Sequence, residues 1–331
     1  MIKLRAFDAG AGDSLLLTSD STAILIDGGE SGAFDRHIAG QLREGPSLDL
    51  VVVTHWDGDH ILGIRNLYRQ ENLSSVRAPA VRFNHFMPVA ADPGSPQFGV
   101  APFSVEHGVN LVDLLRSEDV EVSGASAGDS IVFSDVVLTV LGPDEALLRA
   151  AEEEWNEEIS ALPQGDGWSL AAMRSVQADD SPTNRASITT LVSEPDGPPL
   201  ALLAGDALAS DLLDQLVAAG LCEEGGSFHV PVLKVQHHGS ERNISREFLQ
   251  RVSTDHYIIS ANGRHDNPDP STLEMLIEAA VSTGATIWFT SDGRSASQQE
   301  KMGLARRRVA AANVPIGNAP GAPVEIVLSG G

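Results

Sequence analysis

Four side chains that can bind metal ions fall within six residues of the sequence, at His55, Asp57, Asp59 and His60. Packed this closely, two carboxylates and two imidazoles would repel or desolvate one another unless a cation lay between them. His55 and Asp57 can face one ion, and Asp59 and His60 a second, because Gly58 lets the chain turn tightly between the pairs. A solvated acidic turn is the competing interpretation, but turns seldom combine Asp and Gly with flanking histidines. The spacing favours a pair of divalent cations that activate water for hydrolysis.

Predicted strands place further polar side chains at the same kind of position. A β-branched run at 49–54 predicts a buried strand that ends at the four-residue motif. Because ligands in α/β sheets bind outside the carboxyl ends of the strands, we expect one shared site there. Three later predicted strands also end in polar groups: 200–204 before Asp206, 230–235 before His237, His238 and Ser240, and 257–260 before Asn262, Arg264 and His265.

Asp27 ends an earlier predicted strand, and two interpretations of it stay open. It caps a turn, or it lies beneath the metal site and orients a ligand through a hydrogen bond.

The remaining pattern predicts alternating strands and helices. The motif Gly124-Ala125-Ser126-Ala127-Gly128 has the spacing of a hydrolase nucleophile elbow, but a β-run follows it where that elbow needs a helix. We interpret it as a hairpin turn. Further strands are predicted at 2–7, 14–18, 23–27, 76–83, 120–122, 130–141 and 186–193, and helices at 34–42, 61–70, 105–117 and 211–219.

Composition limits the class of protein. The chain has 331 residues, 42% of them hydrophobic, which is enough for a sizeable core. Its single cysteine, Cys222, excludes an internal disulfide and is typical of a reducing compartment. The sequence shows neither a leader-like N-terminus nor an apolar run of about 18 residues, so we expect a cytoplasmic protein without membrane contact.

Charge is distributed unevenly. The net charge of −24 argues against non-specific coating of nucleic acid, which needs clustered Lys and Arg. Residues 144–180 hold ten acidic against two basic side chains, and we interpret this segment as an insertion over one edge of the site or a surface for a protein partner. Residues 88–104 are rich in Pro and Gly and predict a loop bordering a cleft. Arg264, Lys301 and 306–308 leave a basic face for a nucleic-acid substrate.

Several stretches together resemble the metallo-β-lactamase superfamily, and within it the soluble C-terminal domain of the ComEC/Rec2 competence proteins. The resemblance implies one domain over 1–331 with the αββα architecture, in which two mixed sheets pack face to face with helices outside. The matching stretches are 7–14, 25–29, 54–63, 184–188, 203–206 and 233–240.

The resemblance also implies a ligand set. His55 and Asp57 would bind the first metal and Asp59 and His60 the second. Asp206 would bridge the two ions. His237, or in its place His238, would complete the second coordination sphere.

Departures from the family pattern concern two positions. The commonest motif has His where this chain has Asp57, and the usual extra histidine before Asp206 has only His85 and His107 as candidates. Each is either a ligand or an ordinary polar histidine. Relatives often carry His directly before Pro at a later position, where this chain has Asn267 and the histidine is His265.

These departures lead to a functional prediction. Three carboxylates and three imidazoles make a hard site in which Mn²⁺ or Mg²⁺ competes with Zn²⁺. Asp59 would take a proton from the water molecule that bridges the two metals and so leave a bridging hydroxide. Substrate oxyanions would be held by His238, His265, Arg264, Ser240 and Asn262. We predict a two-metal phosphodiesterase or nuclease. The alternatives are a hydrolase of small esters, thioesters or lactams, and a partner-regulated effector of a bacterial defence or DNA-uptake pathway.

Overall fold

A computed structural model describes residues 1–86, 105–161 and 181–329. The Pro/Gly-rich loop predicted at 88–104 and the part of the acidic insertion from 162 to 180 lie outside the described residues.

The described residues form two seven-stranded sheets and one two-stranded ribbon. In chain order the strands are β1 (Ile2–Ala6), β2 (Leu15–Thr18), β3 (Ala23–Ile26), β4 (Leu50–Val53), β5 (Ala80–Phe83), β6 (Glu121–Ser123), β7 (Ser130–Val132), β8 (Val137–Gly142), β9 (Thr189–Ser193), β10 (Pro199–Leu203), β11 (Phe228–His229), β12 (Val232–Lys234), β13 (Val252–Ser253), β14 (His256–Ile259), β15 (Thr286–Phe289) and β16 (Val324–Ser329).

Both large sheets are mixed, and each contains one antiparallel and one parallel part. The first has the order β16-β1-β2-β3-β4-β5-β6, antiparallel as far as β3 and parallel from β3 to β6. The second has the order β15-β14-β12-β10-β9-β8-β7, parallel from β15 to β10 and antiparallel from β10 to β7. The parallel strands β3 and β4, and likewise β10, β12 and β14, therefore bring their carboxyl ends together.

Helices cover the outer face of each sheet. They are α1 (Ser31–Ala33), continued by a π-helical turn (Phe34–Ile38) and α2 (Ala39–Glu44), then α3 (Gly58–Arg69), α4 (Glu106–Ser117), α5 (Glu145–Ala161), α6 (Pro182–Arg185), α7 (Ala209–Ala218), α8 (Arg246–Arg251), α9 (Pro270–Thr283) and α10 (Ala296–Ala311), with short 3-10 helices at Glu71–Val76, Gln236–Gly239 and Arg264–Asp266.

Alternation along the strands explains why the layers stack. In β3, Ile24 and Ile26 lie in the core between the sheets, while Leu25 lies in the core under the first group of helices. Leu138 and Ile258 of the second sheet join the same central core. Burying one aliphatic side chain of this kind contributes about 1.5–3 kcal/mol. The prediction of an αββα sandwich with two mixed sheets is confirmed.

Two local predictions were wrong. The strand expected at 130–141 is a hairpin, because the chain reverses where the N–H of Phe133 donates to the carbonyl oxygen of Val136 at 2.8 Å. The segment 124–128 is not a hairpin turn, since β6 and β7, which it connects, belong to different sheets. No helix among the described residues has the length and apolar character needed to cross a membrane.

Candidate metal centre

The loop between β4 and α3 carries the four-residue motif. β4 ends at Val53, and α3 begins at Gly58 with Asp57 as its N-cap residue. The carbonyl oxygen of Asp57 accepts hydrogen bonds from the N–H groups of His60 and Ile61 at 3.0 Å, which closes the first turn. Nε2 of His55 lies 3.6 Å from Oδ2 of Asp57, and both residues are buried. The helix start therefore holds the first pair of predicted ligands against each other.

Asp27 orients the second histidine of the motif. Its Oδ2 lies 2.8 Å from Nδ1 of His60, and its two oxygens accept hydrogen bonds from the backbone N–H and the hydroxyl of Thr54 at 2.8 and 2.7 Å. A proton on Nδ1 facing this carboxylate leaves Nε2 as the nitrogen that can bind a metal when the ring is neutral. This is the arrangement that carboxylate–histidine–metal sites use.

Close contact between two glycines brings α3 onto the end of β3. A Cβ atom on Gly63 would lie 1.9 Å from the carbonyl oxygen of Gly28, and one on Gly28 would lie 2.4 Å from the backbone nitrogen of Ile64. The N–H of Gly28 also donates to the carbonyl oxygen of His60 at 2.8 Å. Only glycine at both positions allows this approach, which sets His60 above Asp27.

Asp206 lies at the centre of the site, directly after β10. Its Oδ2 lies 3.8 Å from Nε2 of His55, 3.3 Å from that of His60, 3.5 Å from that of His237 and 3.4 Å from that of His238. One carboxylate oxygen thus faces ring nitrogens from both sheets.

His237 and His238 lie in a left-handed turn after β12. Their φ angles are 42° and 56°, a region that costs non-glycine residues on the order of 1–3 kcal/mol and is concentrated at functional sites. The turn aims both rings at Asp206. Nδ1 of His237 lies 2.9 Å from Oδ1 of Asn243, and Nδ1 of His238 lies 3.0 Å from the carbonyl oxygen of Ser260.

Asp13 and Lys234 are buried residues of the centre that sequence reasoning did not single out. The Lys234 ammonium pairs with Oδ2 of Asp13, while Oδ1 of Asp13 lies 3.3 Å from Nδ1 of His238. Asp13 falls inside the matching stretch 7–14, and Lys234 is a charged residue in an otherwise apolar strand. A charged residue within an apolar strand is the sequence signal that could have pointed to Lys234.

Electrostatics couple the carboxylates to the histidines. Burial by itself would raise the pKa of Asp206, but His238, His237 and His60 hold its pKa well below the usual range. Burial would lower the pKa of His60, yet the carboxylates of Asp206 and Asp27 keep its pKa well above the usual range. Against the same burial, Asp206 and Asp13 raise the pKa of His238 to about 9. The Asp206 carboxylate is therefore ionised and attracts positive charge.

The side chains fit a divalent cation. Asp13, His60, Asp206 and His238 offer ligand atoms that all lie within 4.8 Å of one another. Nε2 of His60 and Nε2 of His238 are 3.3 Å apart, although Nδ1 of each ring already faces an oxygen. Nε2 of His55 and Oδ1 of Asp206 are buried without a hydrogen-bond partner. Converging lone pairs of this kind are satisfied when a metal ion lies between them.

The predicted substrate-binding residues lie on the loop after β14 and beside the histidine turn. Ser240 and Asn262 are buried, and Oδ1 of Asn262 accepts the N–H of Arg264 at 2.9 Å. The Arg264 guanidinium pairs with Glu30 and is half exposed. His265 is exposed, so the structure brings Asn262 and Arg264 together but leaves His265 on the surface.

His85 and His107 were the candidates for an additional ligand. His107 is buried in the first turn of α4, and His85 follows β5. Among the described residues, the group of mutually close ligand atoms contains neither of them. A metal role for either histidine stays a prediction.

The sandwich holds a buried His/Asp cluster. Residues 7–141 match the family model described as the metallo-beta-lactamase superfamily. The closer resemblance to the ComEC/Rec2 domain is not confirmed by this match. No curated protein matches the chain.

Similar solved structures share little sequence with the chain. A diphosphatase from the PhnP family is 13% identical over 88% of this chain and 86% of its own, with a TM-score of 0.38. Igni18, a metallo hydrolase from the archaeon Ignicoccus hospitalis, is 13% identical over 99% of both chains, with a TM-score of 0.41. CmlA, a diiron beta-hydroxylase from Streptomyces venezuelae, is 13% identical over 86% of this chain and 52% of its own, with a TM-score of 0.44. The reaction and substrate therefore have to be inferred from the site itself.

Proposed function

We propose that this chain is a metal-dependent hydrolase that holds two divalent cations around Asp206 and cleaves phosphodiesters, with DNA or RNA as the substrate class. One observation carries the proposal: Oδ2 of Asp206 lies 3.3–3.8 Å from four histidine nitrogens. A single ion cannot use all of these ligands together with Asp57 and Asp59 in a tetrahedral or octahedral sphere, whereas a shared carboxylate can serve two ions.

We assign the ligands to two groups. In the first, Nε2 of His55 lies 3.6 Å from Oδ2 of Asp57. In the second, Nε2 of His238 lies 3.5 Å from Oδ2 of Asp59 and 3.3 Å from Nε2 of His60. The short Asp59–His238 separation favours His238 over His237 as the histidine that completes it.

The carboxylate content of the centre supports a phosphoryl substrate and a hard metal. Asp57 replaces a neutral imidazole of the commonest motif with an anion, and carboxylate ligands suit Mn²⁺ and Mg²⁺ as well as Zn²⁺. When bound, a pair of such cations polarises a phosphoryl oxygen and lowers the pKa of a water molecule. Zn²⁺ and Mn²⁺ are the ions that we expect, with Mg²⁺ in competition.

We assign the role of general base to Asp59. Its side chain is 19% exposed, against 8% for Asp57 and 2% for Asp206, so it is the carboxylate that incoming solvent reaches. The water oxygen forms a bond to phosphorus while the ester P–O bond breaks. Asp59 takes the proton from the water, and the departing alkoxide gains a proton from solvent.

The loop after β14 supplies donors for the substrate. Arg264 can leave Glu30 for a phosphate oxygen, because an exposed ion pair contributes only about 0–1 kcal/mol. His265 lies next to Arg264 on the surface, and Lys301 of α10 pairs with the adjacent Asp266. We assign Arg264, His265 and Lys301 to the proposed basic face, and the buried Ser240 and Asn262 to further contacts with the substrate.

The proposal is tested by hydrolysis of bis(p-nitrophenyl) phosphate and labelled single- and double-stranded DNA and RNA, with Mn²⁺, Mg²⁺ or Zn²⁺ added. We expect metal-dependent cleavage that falls at least 100-fold in Asp59→Asn and Asp206→Asn. Asp129→Asn, an exposed aspartate outside the centre, is the matched control and should cleave at the wild-type rate. Cleavage that survives Asp206→Asn, or cation binding without cleavage of any phosphodiester, would contradict the proposal.

Hydrolysis of a small ester, thioester or lactam is the second candidate, and the net charge of −24 favours it. A strongly acidic surface repels a nucleic-acid polyanion but does not hinder a small neutral substrate. Cleavage of p-nitrophenyl acetate or nitrocefin by the same Asp206-dependent site, without phosphodiester cleavage, would select this candidate.

A protein partner at the acidic insertion is a separate proposal. Within the described part of that segment, α5 exposes Glu152, Glu153 and Glu157 to solvent. A partner with a basic surface would complement this face, and the protein would then act as a partner-regulated effector. Affinity for such a partner that falls steeply with salt and in a triple Glu→Gln variant would support it.

A further inference from the structure

Lys234 is a fully buried cation beside the metal centre. It is the last residue of β12, and its ammonium pairs with Oδ2 of Asp13. Nζ also donates to the carbonyl oxygen of Gly205 at 3.1 Å and lies 3.9 Å from Oδ1 of Asp206. A buried ammonium is tolerated only when it is paired in this way. Nζ of Lys234 therefore lies within ion-pair distance of both Asp13 and the central carboxylate of Asp206.

His238 has two differently occupied edges. Its Nε2 faces the centre, 3.4 Å from Oδ2 of Asp206 and 3.5 Å from Oδ2 of Asp59. Its Nδ1 faces away, 3.0 Å from the carbonyl oxygen of Ser260 and 3.3 Å from Oδ1 of Asp13. Asp13 thus lies behind the ring, on the edge opposite the ligand nitrogen.

We propose that Lys234 and Asp13 are positioning residues that orient His238, with Lys234 keeping the Asp13 carboxylate behind the ring, where Oδ1 faces the Nδ1 edge as a negative charge, instead of letting it bind metal. This inference rests on the proposed cation centre. Outer groups of this kind fix the tautomer and the orientation of a ligating histidine.

Lys234 is needed because Asp13 could otherwise bind metal itself. Ligand atoms of Asp13, His60, Asp206 and His238 all lie within 4.8 Å of one another. One oxygen of Asp13 is held by the ammonium, and the other faces Nδ1 of His238. Without the ammonium, an unpaired buried carboxylate would turn towards the nearest cation.

The test follows Co²⁺ binding by visible absorption, which reports both the affinity and the ligand set. We expect Asp13→Asn to bind Co²⁺ about tenfold more weakly with the wild-type spectrum, because the ligands are unchanged and only their orientation is lost. Lys234→Met should change the spectrum, because Asp13 enters the coordination sphere. The double variant should return to the wild-type spectrum with the weak affinity of Asp13→Asn. If Lys234→Met does not fold, the test is the comparison of Asp13→Asn with the double variant, in which both charges are removed.

Arg306→Met is the control for loss of a mostly buried cation. Arg306 pairs with Asp292 and donates to the carbonyl oxygen of Asn318, neither of which belongs to the centre. It should bind Co²⁺ like the wild type. The proposal is overturned if Asp13→Asn changes the spectrum, if Lys234→Met does not, or if Arg306→Met weakens binding as much as Asp13→Asn. Normal Co²⁺ binding without phosphodiester cleavage would remove the proposed substrate and leave this assignment intact, whereas no Co²⁺ binding by the wild type would overturn both.

Discussion

Asp27 reaches His60 across the end of the first sheet, with Oδ2 of the carboxylate 2.8 Å from Nδ1 of the ring. The same carboxylate accepts the backbone N–H and the hydroxyl of Thr54, the residue that follows β4. Three donors from the motif loop therefore converge on one side chain, whose own backbone is left-handed with a φ of 57°.

Asp27→Asn should weaken cation binding. Asn tolerates the left-handed backbone, but its amide offers one acceptor oxygen where two are used, so one buried donor loses its partner. We expect the cation Kd to rise 10–100-fold and the free energy of unfolding to fall by about 1–3 kcal/mol. Calorimetric titration and urea denaturation measure the two effects. Asp196→Asn, at an exposed residue with a φ of 55°, is the matched control and should change neither. An unchanged Kd in Asp27→Asn would show that the contact does not orient His60.

Removal of divalent metal should destabilise the protein. Asp13, Asp27, Asp57 and Asp206 are buried carboxylates, and Lys234 is the buried ammonium among them. A ligand that binds the folded state alone at 100 times its Kd adds about 2.7 kcal/mol. We expect EDTA followed by desalting to lower the melting temperature by several degrees and added Mn²⁺ or Zn²⁺ to restore it. Tryptophan fluorescence should change when metal is removed and restored, because Trp56 lies between His55 and Asp57 in the sequence. Equal melting temperatures with and without metal would contradict a cation at this centre.

Glu158 should make stability depend on pH. Burial raises the pKa of its carboxyl to about 7, with Glu154 and Asp57 adding to the effect and a hydrogen bond from Val105 opposing it. The folded state then binds the proton more tightly than the unfolded state. The contribution of Glu158 to the free energy of unfolding is therefore most favourable below about pH 4.5 and is lost as the pH rises through about 7.

Glu158→Gln should remove that loss. Because the side chain is partly solvent-screened, we expect the variant to be about 1 kcal/mol more stable than the wild type at pH 8 and nearly equal to it at pH 5. Guanidinium denaturation at the two pH values measures the difference. Glu157→Gln, at an exposed neighbour on the same helix, should show no such pH-dependent gain. A gain of equal size at both pH values would mean that protonation is not its cause.

Trp155 connects α5 to the metal loop. Its ring lies edge-on to that of Trp56, with centroids 5.0 Å apart at 86°, and both side chains are buried. Trp155→Ala should lower the free energy of unfolding by about 3–5 kcal/mol, because it leaves a large cavity. It should also weaken cation binding, because Trp56 loses this packing partner and lies between the proposed ligands His55 and Asp57 in the sequence. Denaturation and Co²⁺ titration check these results, and Ile159→Ala, on the exposed side of α5, should leave cation binding unchanged.

The layers of the fold could be predicted from the sequence, because burial on both faces of a strand leaves a local pattern. Within the predicted strands 23–27 and 49–54, residues 23–26 and 50–53 are apolar throughout, and they became β3 and β4 of a mixed sheet. Turns were harder to predict. The hairpin inside 130–141 reverses at a turn that the backbone hydrogen bond from Phe133 to Val136 closes, and the connection at 124–128 depends on which sheet each neighbouring strand joins.

The sequence by itself determined which loops carry the chemistry, because ligand types and strand ends are local properties that spacing reveals. Only the tertiary structure decided how those loops meet. It brought Asp13 from the N-terminal part of the chain behind His238, buried Lys234 beside Asp206 and turned His238 towards Asp59. The contacts of His238 with Asp13 and Asp59 join residues more than 170 positions apart, and Lys234 meets Asp206 because two parallel strands of the second sheet lie side by side. They follow from the packing of two sheets, and no periodicity along the chain records them.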